Sequence, residues 1–176
     1  MDGQSFPVGV LARRAAALTG ELRAGADAAE IADTLREFGE DVSTVDEASM
    51  PLLCRVADEL YEVFADTTLD QCVADLNGML ARWAHPPRLS DHDGTSWHLH
   101  LDSADDAPWG EWLAASAAYA LAAIVAETGR LPGGICDAHD CDRPYLNSGS
   151  GGEQRYCSTR CATRSRVAAY RHRHND

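Results

Sequence analysis

At 176 residues the chain can bury one ordinary core and carry a small appendage, but hardly two full domains. With 45% hydrophobic and 24% charged residues it is not disordered throughout. The formal charge of −13 disfavours nucleic acid as a partner of the whole surface, yet it is unevenly spread: residues 1–129 hold 7 arginines against 23 acids, a balance of −16, and residues 130–176 hold 8 against 5, a balance of +3.

In chain order, Leu11, Ala15, Leu18 and Leu22 recur at helical spacing and predict a first helix over about 10–24, stopped by Gly25. Asp27 and Glu30 stand three apart, as in a capping box, before Ile31, Leu35 and Phe38, with Gly39 just past the end. Leu52, Val56, Leu60 and Val63 form the stripe of a third helix. Thr68 with Gln71 caps a fourth, whose face reads Leu69, Val73, Leu76, Leu80 and Trp83 before Pro86-Pro87. The isolated Cys54 and Cys72 read as small buried hydrophobes within these helices.

The period then changes. Trp97, Leu99 and Leu101 alternate with His98 and His100, and Asp93-Gly94 is a turn signal, so 88–90 and 95–101 are expected to pair as a hairpin. A fifth helix is expected over about 108–128, with Pro108 at its start and Gly129 just past its end. Its least polar run, 114–126, is shorter than the roughly 20 residues a bilayer needs, which predicts a buried helix and no membrane partner. The start of the chain lacks the pattern of a secretory signal, which predicts a cytoplasmic, reducing location.

Arg130 to Gly134 reads as a linker, because its glycines and proline break both periods where the charge changes sign. The expected organisation is a mainly helical α+β domain over 1–129, a linker over 130–134, and a small zinc finger over 135–176. Cys136-x4-Cys141 and Cys157-x3-Cys161 are separated by fifteen residues. Two tight thiol pairs in a reducing compartment suit one tetrahedral Zn²⁺. Arg160, Arg164, Val167 and Arg171 share a helical face, so Cys161 falls in the first turn of a final helix, whose positive end favours thiolate. A loop knuckle and a helix start make the module treble-clef-like. Four protein ligands close the coordination sphere and predict a structural rather than a catalytic ion. His139, His172 and His174 are rival ligands.

These residues resemble the CGNR zinc-finger family, in which a C-terminal finger follows an N-terminal domain called ABATE. The resemblance rests on Cys136-x4-Cys141, Arg155-Tyr156-Cys157-Ser158, and Cys161-Ala162-Thr163-Arg164 with Val167 to Arg171. It extends more weakly to Leu76-Asn77 and Trp97 to His100. Ala162 and Thr163 stand where the eponymous motif has Gly and Asn, and Asn147 where an acid is common. The resemblance implies a stress-induced transcriptional regulator, its finger on DNA and its N-terminal domain sensing a small ligand.

Six arginines and no acid lie between Arg155 and Arg173. Arg155, Arg160, Arg164, Arg166, Arg171 and Arg173 are candidate phosphate or guanine contacts, or partners of the negative zinc–thiolate centre. Trp83, Trp97, His98, His100, Trp109 and Trp112 are candidates to line a small-molecule pocket, against the plainer reading of a polar strand face and core aromatics. No nucleophile motif, phosphate loop or metalloprotease signature appears, so no enzyme activity is expected. The alternative to a DNA-binding regulator is a protein-interaction adaptor built on a structural zinc module, and a second copy of the chain is a further candidate partner.

Overall fold

The computed structural model describes residues 8–40, 42, 45–91, 97–147 and 154–174, with side chains only to 171 in the last stretch. Among the described residues it is an α+β arrangement of six helices and two short antiparallel hairpins.

Helix α1 (Val8–Arg23) turns at Gly25, whose φ of 87° suits glycine. Helix α2 (Ala28–Glu37) starts at a complete capping box. Asp27 accepts from the backbone N–H groups of Ala29 and Glu30, and the Glu30 carboxylate accepts from the Asp27 N–H. Helix α3 (Met50–Ala65) buries Leu53, Val56, Ala57, Leu60, Val63 and Phe64. Cys54 lies outside that arc and is exposed, against the sequence expectation, while Cys72 is buried.

Helix α4 (Leu69–Trp83) is capped by Thr68, whose Oγ1 accepts from the Gln71 N–H at 3.4 Å. The Gln71 side chain turns to Asp75 instead of closing a box. Its core face is Cys72, Leu76 and Met79, and Val73 is exposed, so the helix is rotated from the expected stripe. The rotation follows from packing: α5 (Trp109–Thr128) lies against α1, α3 and α4, and the alanines of α5 let those helices approach closely. Helix α5 is long and apolar enough to span a bilayer, beyond what its apolar run suggested, but here it is the central helix of the bundle, with Leu113, Ala114, Ala117, Ala118, Ala120 and Leu121 in the core.

Strands β1 (Arg88–Ser90) and β2 (His98–His100) pair as expected, with Leu89 opposite Leu99. The expected turn at 93–94 lies outside the described residues. The hairpin is held to the start of α5, where Glu111 accepts from the Ser103 N–H at 2.7 Å.

A second hairpin, β3 (Gly133–Ile135) and β4 (Pro144–Leu146), has no counterpart in the sequence reading. Gly133 and Gly134, read as linker, are strand residues, and the hairpin packs on the body: β4 on α1, β3 on α3, with Ile135 and Leu146 against the main core. Gly133 permits this. A Cβ there would lie 1.9 Å from the Tyr145 carbonyl oxygen and 3.1 Å from Phe64. Asn147 closes the hairpin, its Nδ2 donating to the Leu131 carbonyl and its N–H to that of Pro132, both at 2.9 Å. A carboxylate at 147 could not make the first of these bonds. Helix α6 (Thr159–His174) ends the described chain.

Candidate metal centre

Cys136 follows directly on β3, and the chain turns back at once to Cys141. The Cys141 N–H donates to the Ala138 carbonyl at 3.0 Å, and Asp140 takes the left-handed conformation at φ 59°, which aspartate tolerates better than most residues. Because the Cys136 N–H donates to the Arg143 carbonyl, the knuckle is the tip of the β3–β4 hairpin and inherits its fixed position on the body. The second thiol pair is set by α6. Ser158 caps the helix, its Oγ accepting from the Cys161 N–H at 3.2 Å, so Cys161 stands in the first turn as expected.

The four sulfurs lie within 4.8 Å of one another, with Cys141 to Cys157 and Cys157 to Cys161 both at 3.7 Å. A tetrahedron of thiolates about 2.3 Å from zinc has sulfurs about 3.8 Å apart, so the set fits one zinc ion with little movement. All six cysteines are free thiols. Cys136 and Cys161 are buried, and with Ala138 they form a small core of their own, bordered by Cys141, Tyr156 and Cys157. The site is a closed Cys₄ centre for one structural zinc ion. The thiols do not ionise equally before the metal enters. The Ser158 hydroxyl holds Cys161 down to about 7, against burial. Burial among the other thiols pushes Cys157 up to about 12, and burial also raises Cys141. A zinc ion deprotonates all four on binding.

The rival ligand His139 is 91% exposed and pairs with Asp140 at 2.6 Å, away from the sulfurs. The side chains of His172, Arg173 and His174 lie outside the described residues.

The candidate arginines fall into two groups. Arg155 and Arg164 serve the centre: Arg155 pairs with Asp137 at 2.7 Å while its carbonyl accepts from the Asp137 N–H at 2.8 Å, stitching the two halves of the knuckle together. Arg164 points its guanidinium at the Cys161 sulfur, 3.7 Å away. Arg160, Arg166 and Arg171 are exposed, the Nε of Arg166 donating to the Ala162 carbonyl.

The residues named for a small-molecule pocket lie at the end of α4, on the β1–β2 hairpin and at the start of α5. Trp83 donates from Nε1 to Glu59 at 3.1 Å, Trp97 is 67% exposed, and Trp109 and Trp112 meet edge to face at 5.2 Å on α5. His98 and His100 are brought together on β2. An open cleft of about 470 Å³ lies elsewhere, lined by Glu21, Glu30, Asp33, Thr34 and Arg143 among others.

Sequence reasoning missed Arg14. It is 2% exposed, ion-paired to Glu40, 3.1 Å from the Ser116 hydroxyl and stacked 3.9 Å over Trp112. Burial pushes its pKa down to about 10 against the pull of Glu40. The signal was present: Arg14 stands three residues from Leu11 and four from Leu18, within the apolar arc of α1.

Residues 133–174 match the model of the CGNR zinc finger family, from the first residue of β3 to the last of α6. No curated protein matches the chain.

Proposed function

We propose that the chain is a zinc-dependent transcriptional regulator that lays α6 on DNA through Arg160, Arg166 and Arg171. The observation carrying this reading is that residues 166–171 are exposed all round the helix, while Cys161 ties its first turn to the knuckle. A helix without an apolar face to bury is marginal in water and gains from a partner of opposite charge. The major groove admits such a helix, and guanidiniums there can hold phosphates or read guanine edges. The acidic body repels DNA, so only the basic end can approach it. The resemblance to the CGNR family supports this role. A cytoplasmic, non-enzymatic, ABATE-like sensor of a small ligand over residues 1–129, in a stress response, belongs to the same proposal through Leu76-Asn77 and the Trp97 to His100 strand.

The test is selection from a random duplex pool, followed by affinity against salt. Arg166→Ala and Arg171→Ala should each flatten the salt dependence by about one counterion, with zinc content unchanged. Failure to select a sequence, or a slope indifferent to both substitutions, refutes the reading.

One observation favours an adaptor as the second reading: Val167 and Tyr170, 43% and 57% exposed, lie beside the arginines and offer apolar contacts suited to an acidic protein surface. Salt-sensitive binding to acidic peptides without DNA selection would support it.

A further inference from the structure

The four zinc ligands are not equally sheltered. Cys136 and Cys161 are buried and pack with Ala138, whereas Cys141 and Cys157 border that small core and are partly exposed. The exposed pair is also in contact, its two sulfurs 3.7 Å apart. One stands in the turn of the β3–β4 hairpin and the other just ahead of α6, so a bond between them would join the knuckle to the approach of the helix. Cys157 touches Cys161 at the same 3.7 Å, but Cys161 is differently held. Its N–H donates to Ser158 at 3.2 Å, its sulfur accepts from the Arg164 guanidinium at 3.7 Å, and it is 8% exposed.

This asymmetry decides where an oxidant acts. Bound zinc keeps its ligands as thiolates, the nucleophilic form of cysteine, and a small hydroperoxide in solvent meets the partly exposed sulfurs first. Closing a disulfide to about 2.05 Å requires a partner sulfur to travel about 1.7 Å. Cys141, in a turn at the hairpin tip, can supply that movement. Cys161 would have to leave both its cap and its small core. In the first step the Cys157 sulfur attacks one oxygen of the hydroperoxide: an S–O bond forms, the O–O bond breaks, and an alcohol or water leaves with a proton taken from solvent. The sulfur is oxidised by two electrons to a sulfenic acid and the peroxide is reduced. In the second step the Cys141 thiolate attacks that sulfur: an S–S bond forms, the S–O bond breaks, and the departing hydroxide takes up a proton to become water.

We propose that Cys141 and Cys157 are a reversible oxidative-modification site for hydroperoxides, and that their disulfide releases the ion and unties α6 from the knuckle. Only Cys136 and Cys161 then remain as thiolates, half of a tetrahedral set. The modification reaches the basic helix without touching any arginine on it, and it does not depend on what α6 binds. A thiol reductant reopens the disulfide by exchange and restores the four ligands.

The experiment treats the zinc-loaded full chain with hydrogen peroxide beside an untreated control, in a Cys54→Ser background because Cys54 is a separate exposed thiol. Zinc release is read with a chromogenic chelator, helicity by circular dichroism, and the linkage by mass spectrometry of non-reduced peptides. The expected result is one zinc ion released for every two thiols lost, with the Cys141–Cys157 linkage dominant. About one-sixth of the helical signal should go with it, the share of helical residues in α6, and dithiothreitol with zinc should restore all three readouts. Mapping the bond in a chain that keeps all four ligands avoids variants that cannot fold, and none of the readouts uses DNA. The proposal is overturned by no zinc release at millimolar peroxide, by a dominant Cys157–Cys161 or Cys136–Cys161 linkage, by release through sulfinic acids that dithiothreitol does not reverse, or by a disulfide formed with the helical signal intact.

Discussion

Removing zinc should unfold the C-terminal helix and leave the helical body standing. The module's own core is Cys136, Ala138 and Cys161, too little apolar surface to hold 16 residues of α6 in place. The helix is also poor by itself. Its first turn contains no acid to complement the backbone dipole, Arg160 sits there instead, and Arg160 and Arg164 repel one another four residues apart. Structural zinc sites contribute about 10–16 kcal/mol at neutral pH, comparable to the whole stability of a domain this size. Against that, a cap such as Ser158 contributes about 1 kcal/mol. Chelation should therefore cost about one-sixth of the helical circular dichroism, the share of helical residues in α6. It should also open the arginines from Arg160 to Arg171 to trypsin. The β3–β4 hairpin, anchored by Ile135 and Leu146, should stay docked, and the body should melt in a separate, little-changed transition. Cys157→Ser should reproduce the effect. If metal analysis shows the zinc gone while the helical signal and the tryptic pattern are unchanged, the dependence of α6 on the metal is refuted.

Gly133→Ala should lower stability by at least the 1–3 kcal/mol typical of overpacking, since its methyl meets the Tyr145 carbonyl, whereas Gly78→Ala on the exposed side of α4, with nothing within 4 Å, should raise it by about 0.5–1 kcal/mol; denaturant midpoints decide both. Arg14→Met should cost about 3–5 kcal/mol by removing the buried cation that pairs with Glu40, and the double variant with Glu40→Gln should recover part of it, as thermal or urea unfolding would reveal. Arg14 also holds its proton less tightly folded, at about 10, than unfolded, near 12.5. The wild type should therefore gain stability relative to Arg14→Met as pH rises from about 10 towards 12.5, and equal slopes would contradict the buried guanidinium. Ser158→Ala should lose the α6 cap and weaken zinc binding about fivefold in chelator competition, for roughly 1 kcal/mol.

What was legible in the sequence was local. The Asp27/Glu30 box, the glycines at 39 and 129 and the spacing of the four cysteines each state a short-range geometry, and each is found in place. What was not legible depends on neighbours distant in the chain. Gly133 and Gly134 look like a linker because a strand that must let the Tyr145 backbone approach this closely has no side chain to signal itself. The face of α4 could be Val73 or Cys72 until α5 is placed against it. The partners of His100 come from both strands and the turn after them, and only pairing Arg88 with His100 brings them together.

The arginines of the tail divide into two groups in the folded chain. Composition alone offered six equivalent cations. The structure commits Arg155 to Asp137 and Arg164 to the Cys161 sulfur, where a positive charge offsets the excess negative charge of a Cys₄ zinc centre. Arg160, Arg166 and Arg171 remain on the exposed helix, spaced along it and tethered to the knuckle at one end. The knuckle is fixed to the body through the β3–β4 hairpin, and Cys161 ties the first turn of α6 to that knuckle. A flexible linker at 130–134 would have let the tail fold back onto the acidic surface of residues 1–129. The strand at 133–135 instead docks that stretch on α3.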